Sequence, residues 1–421
     1  MTSRPLPSPL LLALLLWGSL ASAAEVVVWH GYRASERTAL EKVVATYNAS
    51  LPPTGVPVKL LAIPSDAFTD KISATLSRGL GPDVFVFPQD RLGGWVEGGA
   101  LLENLDFFLD PAVRQRYVPG TLEALTYRGS VYALPLNFKA ITLIYNKKLM
   151  ASPPRTTGEL LGSCKTWLAK STDKQRVCLA YPYTDFYYHA ALMHAFGGRV
   201  FDPGPKVRLD APENVKALEL LMRWVAQPGL LPAEPSTALV TSLFNEGKAA
   251  FVFSGPWFIG EIAPSIDYGL ALLPTVDEAG GKPLAPWMTV EGVGISSHSQ
   301  QKDAAYAFVR YLTGPEGARV MALQGRQNPA LAQAYQEPDI AKDPVLAAIR
   351  KQAEVALPMP NLPEMTMVWS PAASAMNAVV HKLSTPKAAL DEAQKAVQKD
   401  VAGLRRSAQP PGSAPPAPKT P

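Results

Sequence analysis

The sequence predicts an α/β protein of two lobes, each a doubly wound, mostly parallel sheet flanked by helices. Three observations carry this expectation. Short apolar runs alternate with amphipathic stretches at helical spacing, the pattern of a sheet wound with crossover helices. The 421 residues leave enough chain, behind a leader, for two separate cores. The run Val84-Phe85-Val86-Phe87 stops at Pro88 and is followed by Asp90-Arg91 and Gly93-Gly94-Trp95. That order sets charged side chains just beyond the carboxyl end of a strand, where open α/β sheets bind ligands.

The elements follow in order. Met1–Arg4 carries one positive charge, Leu10–Trp17 is apolar throughout, and Ala21-Ser22-Ala23-Ala24 is a run of small residues. This is the pattern of a cleavable secretory leader over 1–24, too short to span a membrane. Glu25–His30 reads as the first strand. Ser35 is placed to cap a helix in which Leu40, Val43, Val44 and Tyr47 recur at helical spacing. Val56–Ile63 is the next strand. Ser65 is placed to cap a second helix with Phe68, Ile72 and Leu76 on one face, and the strand at 83–87 follows. Val131–Leu136 and Ala140–Tyr145 read as two short strands joined through Asn137-Phe138-Lys139. Helical patterns cover 156–170, 185–196 and 212–226. Ala249–Phe253 and Tyr268–Leu273 are strands, and Gly294–Ser297 is a short one. Asp303–Leu312 is a helix with Ala305, Phe308, Val309 and Leu312 inward. Thr385 and Pro386 supply the N-cap and first turn of a last helix, with Leu390, Ala393 and Val397 inward.

Composition excludes several classes of function. A net charge of +4 without a concentrated basic stretch gives no support to a nucleic-acid partner. The two cysteines, Cys164 and Cys178, lie far from the leader, so no lipid-anchoring cysteine follows it. In an exported chain they predict one disulfide, closing a loop of about 15 residues. Their spacing is not Cys-x-x-Cys and no His lies close by, which argues against a redox or metal role. His189 and His194 are five apart with no carboxylate between them, so a zinc site is not expected. No nucleophile elbow or phosphate loop is present. The segment 405–421 is rich in Pro, Ala and Gly and is expected to be disordered.

The chemistry of the Asp90-Arg91 segment is that of hydroxyl recognition. Asp accepts hydrogen bonds and Arg donates several in a fixed fork. Sugar hydroxyls both donate and accept, and the C–H faces of a sugar ring lie flat on aromatic rings. Charged groups flanked by aromatics are therefore what a neutral carbohydrate needs. Further motifs follow in order. They are Val26-Val27-Val28-Trp29, Gly81-Pro82-Asp83, Leu143-Ile144-Tyr145-Asn146-Lys147, and Phe244-Asn245-Glu246-Gly247-Lys248 with Gly255-Pro256-Trp257. Met359-Pro360-Asn361-Leu362-Pro363 with Trp369 completes the set. From about Val26 to about Leu404 this set resembles the maltose/maltodextrin-binding proteins, the solute receptors of ABC-type sugar importers.

The resemblance implies a periplasmic-binding-protein fold with the ligand cleft between the lobes. The first lobe would take 25–137 and 293–338, the second 142–287 and 345–404, with crossings near 137–142, 287–293 and 338–345. It implies a monomeric, periplasmic receptor that needs no cofactor and no metal and delivers an α-glucoside oligosaccharide to separate permease subunits. Residue by residue, the family's first-lobe Trp falls on Phe87 and its Asp-Arg pair on Asp90 and Arg91. The second-lobe Glu and Tyr fall on Asp185 and Tyr187, and the two large stacking Trp residues are Trp257 and Trp369. Three places depart. The hinge-side Glu is Lys139, the Arg one turn after the late Trp is Ala373, and His30, Tyr32 and Arg33 stand where an Asp-Lys pair is expected. The kept stacking floor supports a sugar, and the changed hydroxyl partners put maltose itself in doubt. Other classes compete. One is an iron or anion receptor of the same fold, since adjacent tyrosines such as Tyr187-Tyr188 occur in iron receptors. Asp185, Glu261 and Glu291 offer carboxylates for an exported carbohydrate-active enzyme, although no spacing links them. A scaffold role is the last alternative.

Overall fold

The computed structural model describes residues 24–99, 101–203 and 206–407. The expected leader, apart from Ala24, and the tail from residue 408 lie outside the described residues. The strands that matter here are β1 (Val26–His30), β2 (Val58–Ala62), β3 (Val84–Pro88), β4 (Ala133–Lys139), β5 (Thr142–Asn146) and β6 (Val177–Ala180). After them come β7 (Ala249–Ser254), β8 (Tyr268–Ala271), β9 (Trp287–Ile295), β10 (Asn328–Pro329) and β11 (Leu357–Pro358). The principal helices are α1 (Ala34–Ser50), α2 (Ser65–Leu76), α3 (Leu92–Glu97), α4 (Thr157–Leu168), α5 (Phe186–Ala195) and α6 (Pro212–Val225). The later ones are α7 (Thr237–Asn245), α8 (Pro256–Ile259), α9 (Lys302–Leu312), α10 (Pro315–Leu323), α11 (Pro344–Ala353), α12 (Trp369–Val380) and α13 (Pro386–Ser407).

Two sheets form. The first has the order β10-β4-β9-β3-β1-β2, with β11 alongside β9; the second has the order β8-β5-β7-β6. The β1–β2 and β1–β3 pairs are parallel, as the strand–helix–strand pattern requires. The sheets are more mixed than the winding pattern implies. β9 runs antiparallel to both β3 and β4, and β5 runs antiparallel to β7 and β8. β5 follows β4 without a crossover helix but lies in the other sheet, where it runs antiparallel to both of its neighbours.

Each sheet has its own core. Val28, Leu40, Val86, Leu134, Val293 and Phe308 pack on one face of the first sheet, with Phe85, Phe87, Trp95 and Ile72 on the other. The second sheet buries Leu143, Leu179, Phe251, Leu221 and Trp224 on one side and Ile144, Val252, Phe244 and Phe258 on the other. β9 joins the two, because Trp287 at its start belongs to the second core and Ile295 at its end to the first. The last helices α12 and α13 return to the second core through Met376, Leu390 and Val397.

Local details differ from the sequence reading in four places. α1 starts at Ala34 with Arg33 in the cap position and no side-chain cap, so Ser35 is inside the helix. The strand expected at Gly294–Ser297 is the end of β9, which begins at Trp287; the charge at Glu291 hides its first half from an apolar-run search. α2 is preceded by Pro64 in the cap position, with Ser65 as its first residue. α13 continues to Ser407, three residues into the segment expected to be disordered. The Thr385 cap is present, its hydroxyl accepting from the Ala388 N–H at 3.3 Å. The Cys164–Cys178 disulfide is formed as expected, tying α4 to β6.

Candidate functional site

The carboxyl ends of β1 and β3 face the second sheet across a cleft. Two adjoining compartments occupy it, of about 370 and 360 Å³. Pro88, Arg91, Lys139, Trp257 and Glu291 border both. Tyr32, Arg33 and Glu36 border the first alone, and Asp90, Tyr187 and Trp369 the second alone.

Asp90 and Arg91 form a short 3-10 turn immediately after β3. Asp90 is 2% exposed. Its Oδ2 accepts the indole N–H of Trp369 at 2.9 Å, and the Arg91 Nε lies 3.0 Å from the same oxygen. Its Oδ1 is buried without a hydrogen-bond partner among the described residues. Burial pushes the Asp90 carboxyl up, and the Arg91 charge and the Trp369 hydrogen bond offset part of this. A buried carboxylate oxygen without a donor is costly unless something supplies one. The Arg91 guanidinium also lies over the Trp369 ring, 5.7 Å from its centroid.

The aromatic side of the second compartment comes from α5, α8 and α12. Trp257 and Trp369 are half-buried, packed on the second core yet bordering the cleft. Gly255 is required here, because a Cβ on it would meet the Trp257 ring at 2.3 Å. Trp287 is fully buried behind Trp369 and Tyr187, with centroids 5.5 and 6.2 Å away. Tyr187 shares a hydrogen bond of 3.0 Å with the Thr289 hydroxyl, while Tyr188 is buried. Asp185 is the N-cap of α5, its Oδ1 accepting the Tyr187 N–H at 2.9 Å, and it is exposed at the cleft.

The centre of the cleft holds an ionic hub that the sequence reading did not assemble. Lys139 Nζ lies 2.5 Å from Glu291 Oε1 and 5.3 Å from the Trp257 ring centroid. Glu291 Oε2 accepts from the Tyr32 hydroxyl at 2.7 Å and from Asn137 Nδ2 at 2.9 Å. Burial alone would push the Glu291 carboxyl up. The Lys139 charge and the hydrogen bonds from Lys139, Tyr32 and Asn137 outweigh it and hold Glu291 below the usual range. Gln327 links Asn137 to the buried Glu36, whose carboxyl burial pushes up. Both acids were visible as anomalies, since Glu291 stands in an otherwise apolar strand and Glu36 precedes Leu40 and Val43 on the inward stripe of α1.

Two expected ligand residues are placed elsewhere. Phe87 is 1% exposed and packs on Phe85 and Trp95 in the core. Strand alternation explains this: Phe85 and Phe87 share the core face, which leaves Val86 and Pro88 to border the cleft. His30 is 1% exposed, borders neither compartment, and accepts the Tyr32 N–H on Nδ1 at 3.2 Å. Its burial lowers its pKa to about 4, with Arg37 adding to the effect. The Met-Pro-Asn motif is a clamp. Asn361 donates to the carbonyls of Ala124 and Thr126 and accepts from the Gly93 N–H, while Gln89 donates to the Met359 carbonyl. Among the described residues, no group of three or more His, Cys, Asp or Glu is arranged to hold a metal, and no helix is long and apolar enough to cross a membrane.

Known proteins share this architecture. A maltotriose-binding protein of Pyrococcus abyssi is 29% identical over 90% of this chain and 83% of its own. A galactooligosaccharide-binding protein of Bacillus subtilis is 26% identical over 91% of each chain. The crystal structure of a cyclo/maltodextrin-binding protein complexed with maltotetraose superposes with a TM-score of 0.73 at 30% identity, over 90% of this chain and 97% of that one. The profile of the bacterial extracellular solute-binding proteins matches residues 34–319. With two sheets facing one cleft and that profile spanning both, the chain belongs to the bacterial extracellular solute-binding protein family.

Proposed function

We propose that this chain is a periplasmic receptor that captures an α-linked glucose oligosaccharide and delivers it to an ABC importer. The observation that carries this reading is the buried, unpartnered Oδ1 of Asp90 beside Arg91, on a cleft whose other side carries Tyr187, Trp257 and Trp369. A hydroxyl-rich ring supplies the missing donor, accepts from Arg91 and offers C–H faces to the aromatics. The maltotriose and maltodextrin of the similar binding proteins favour α-glucosides. The first sheet with 25–137 and 293–338, and the second with 142–287 and 345–404, act as the two lobes. The ligand touches both walls, so its binding energy favours the closed arrangement, and hinge closure around a ligand is the motion general to periplasmic binding proteins. The closed form docks on separate permease subunits. The receptor works as a monomer without cofactor, exported by a cleaved leader and without a lipid anchor. Catalysis is not part of the proposal, because Glu291 already accepts from Lys139, Tyr32 and Asn137.

Calorimetric titration with maltose, maltotriose, trehalose and sucrose, paired with small-angle scattering, tests the reading. Binding of at least one sugar with a fall in radius of gyration is expected. No heat and no change in scattering or Trp fluorescence across a broad sugar panel refutes it.

A further inference from the structure

Contacts that include a charged side chain join the two walls at both ends of the cleft. One is the Trp369–Asp90 hydrogen bond in the second compartment. Another is at the opposite end. Arg33, on the loop between β1 and α1, places its Nε 2.7 Å from Glu261 Oε1. Glu261 follows α8, whose Phe258 and Ile259 belong to the core of the second sheet. The ion pair therefore joins the two walls. Beside it Gly260 and Ser35 come close, since a Cβ on Gly260 would lie 2.4 Å from Ser35 Oγ and 3.2 Å from the Ser35 backbone nitrogen. Thr241 donates to the second Glu261 oxygen at 2.9 Å, which fixes the carboxylate toward the arginine.

Arg33 borders the first compartment and Glu261 borders neither. Arg33 is on the side of the cleft away from Trp369, which borders the second compartment alone. A chain of sugar rings that filled both compartments and continued past Arg33 would have to pass between the walls where the ion pair and the Ser35–Gly260 contact join them. We infer that the Arg33–Glu261 pair is a length-determining crossbar, which ends the binding site and favours short oligosaccharides over long ones. The inference rests on the receptor reading above and adds to it the determinant of ligand length.

The pair is half-exposed on the arginine side, with side-chain exposures of 42% and 18%. An ion pair of that exposure is worth a factor of up to about five in an equilibrium constant. The test titrates maltotriose and maltoheptaose into the parent protein, Glu261→Gln, and the exchanged pair Arg33→Glu with Glu261→Arg. Glu261→Gln is expected to move the ratio of the two affinities toward maltoheptaose by about two- to fivefold. The exchanged pair restores the parent ratio. If Glu261→Gln weakens both sugars in the same proportion, or leaves both unchanged, the pair does not set length and the inference falls. If the parent protein binds neither sugar nor any other α-glucoside, the receptor reading falls and takes the inference with it. Circular dichroism and apo melting confirm that each variant is folded. Glu261 packs outside both compartments, so loss of the fold in Glu261→Gln would itself contradict the role assigned to it.

Discussion

Replacing Asp90 by Asn changes one group and leaves the shape of the side chain intact. In the parent protein Oδ2 accepts the Trp369 N–H, and Oδ1 is buried with no partner among the described residues. An Asn can keep the first contact by turning its carbonyl oxygen toward Trp369. Its amide nitrogen then stands where Oδ1 was, and an NH₂ group cannot accept from a sugar hydroxyl. A hydrogen bond to a charged acceptor contributes about 1.5–3 kcal/mol, so Asp90→Asn should weaken sugar binding roughly ten- to hundredfold. The effect on the empty protein runs the other way. Burial raises the Asp90 pKa above its unfolded value. The folded state then binds more protons than the unfolded one as pH rises through that window, so the ionised carboxylate destabilises the fold at neutral pH. Removing it should leave the apo melting temperature unchanged or raise it. Calorimetry with maltotriose and differential scanning calorimetry of the apo protein read the two quantities separately. A drop of several degrees in apo melting with unchanged sugar affinity would refute the assignment and make the pair structural.

Trp257→Ala and Trp369→Ala should each weaken sugar binding by ~1–3 kcal/mol, the scale of stacking on an aromatic platform. Both rings are only half-buried, so apo stability should fall by less than the about 3–5 kcal/mol of a fully buried Trp. Sugar should protect the tryptophan emission of the parent protein from acrylamide, and equal quenching with and without sugar counts against the floor. Cys164→Ser should cost roughly 3 kcal/mol of stability, measured by urea unfolding, without altering sugar affinity, because α4 and β6 do not border the cleft. His30 and His189 are buried and His194 is partly buried, each with its pKa lowered to about 4, mainly by desolvation. The unfolded chain binds more protons than the folded one below its ordinary pKa, so stability should fall as pH drops from 6.5 toward 4. His189→Phe should flatten that slope, and an unchanged slope would show that the buried imidazoles do not set it.

The winding of the first sheet was legible because strand and helix periods differ and each βαβ step leaves both in order. Strand direction in the connecting region was not, because Ala140-Ile141 gives no sign that β5 turns into a second sheet. Phe87 shows a second limit. Matching it to a stacking Trp ignored the strand's alternation, which sets Phe85 and Phe87 on one face and Val86 on the other. Asp90, Arg91, Tyr187, Trp257 and Trp369 were found by their motifs and do converge on the cleft. Glu36, Thr289 and Gln327 were not picked out as site residues, since they come together only after three separate segments fold. No local pattern records a contact between residues almost 300 positions apart, such as Gln327 with Glu36.

Lys139 is the position where three-dimensional arrangement most changes the reading. Taken along the chain, a donor stands where the resemblance places an acceptor, and the first compartment would have lost its carboxylate. The fold returns one from the neighbouring strand. β4 and β9 pair antiparallel with Thr289 opposite Lys139 and a register shift after Glu291, and the Glu291 carboxylate comes within 2.5 Å of the Lys139 ammonium. The acceptor has therefore moved from one strand to its neighbour. A carboxylate has about four lone-pair sites. Lys139, Tyr32 and Asn137 occupy three of them here, which leaves capacity for one further donor from the compartment that Glu291 borders. Lys139 in turn has protons beyond the one it gives Glu291, and its charge lies near the Trp257 ring, where a sugar face would stack. The pair thus presents a donor and an acceptor at adjacent points on one side of the cleft. That pattern matches neighbouring ring hydroxyls, and under the proposed function it would recognise them without the net charge that a lone Lys or a lone Glu would bring into the site.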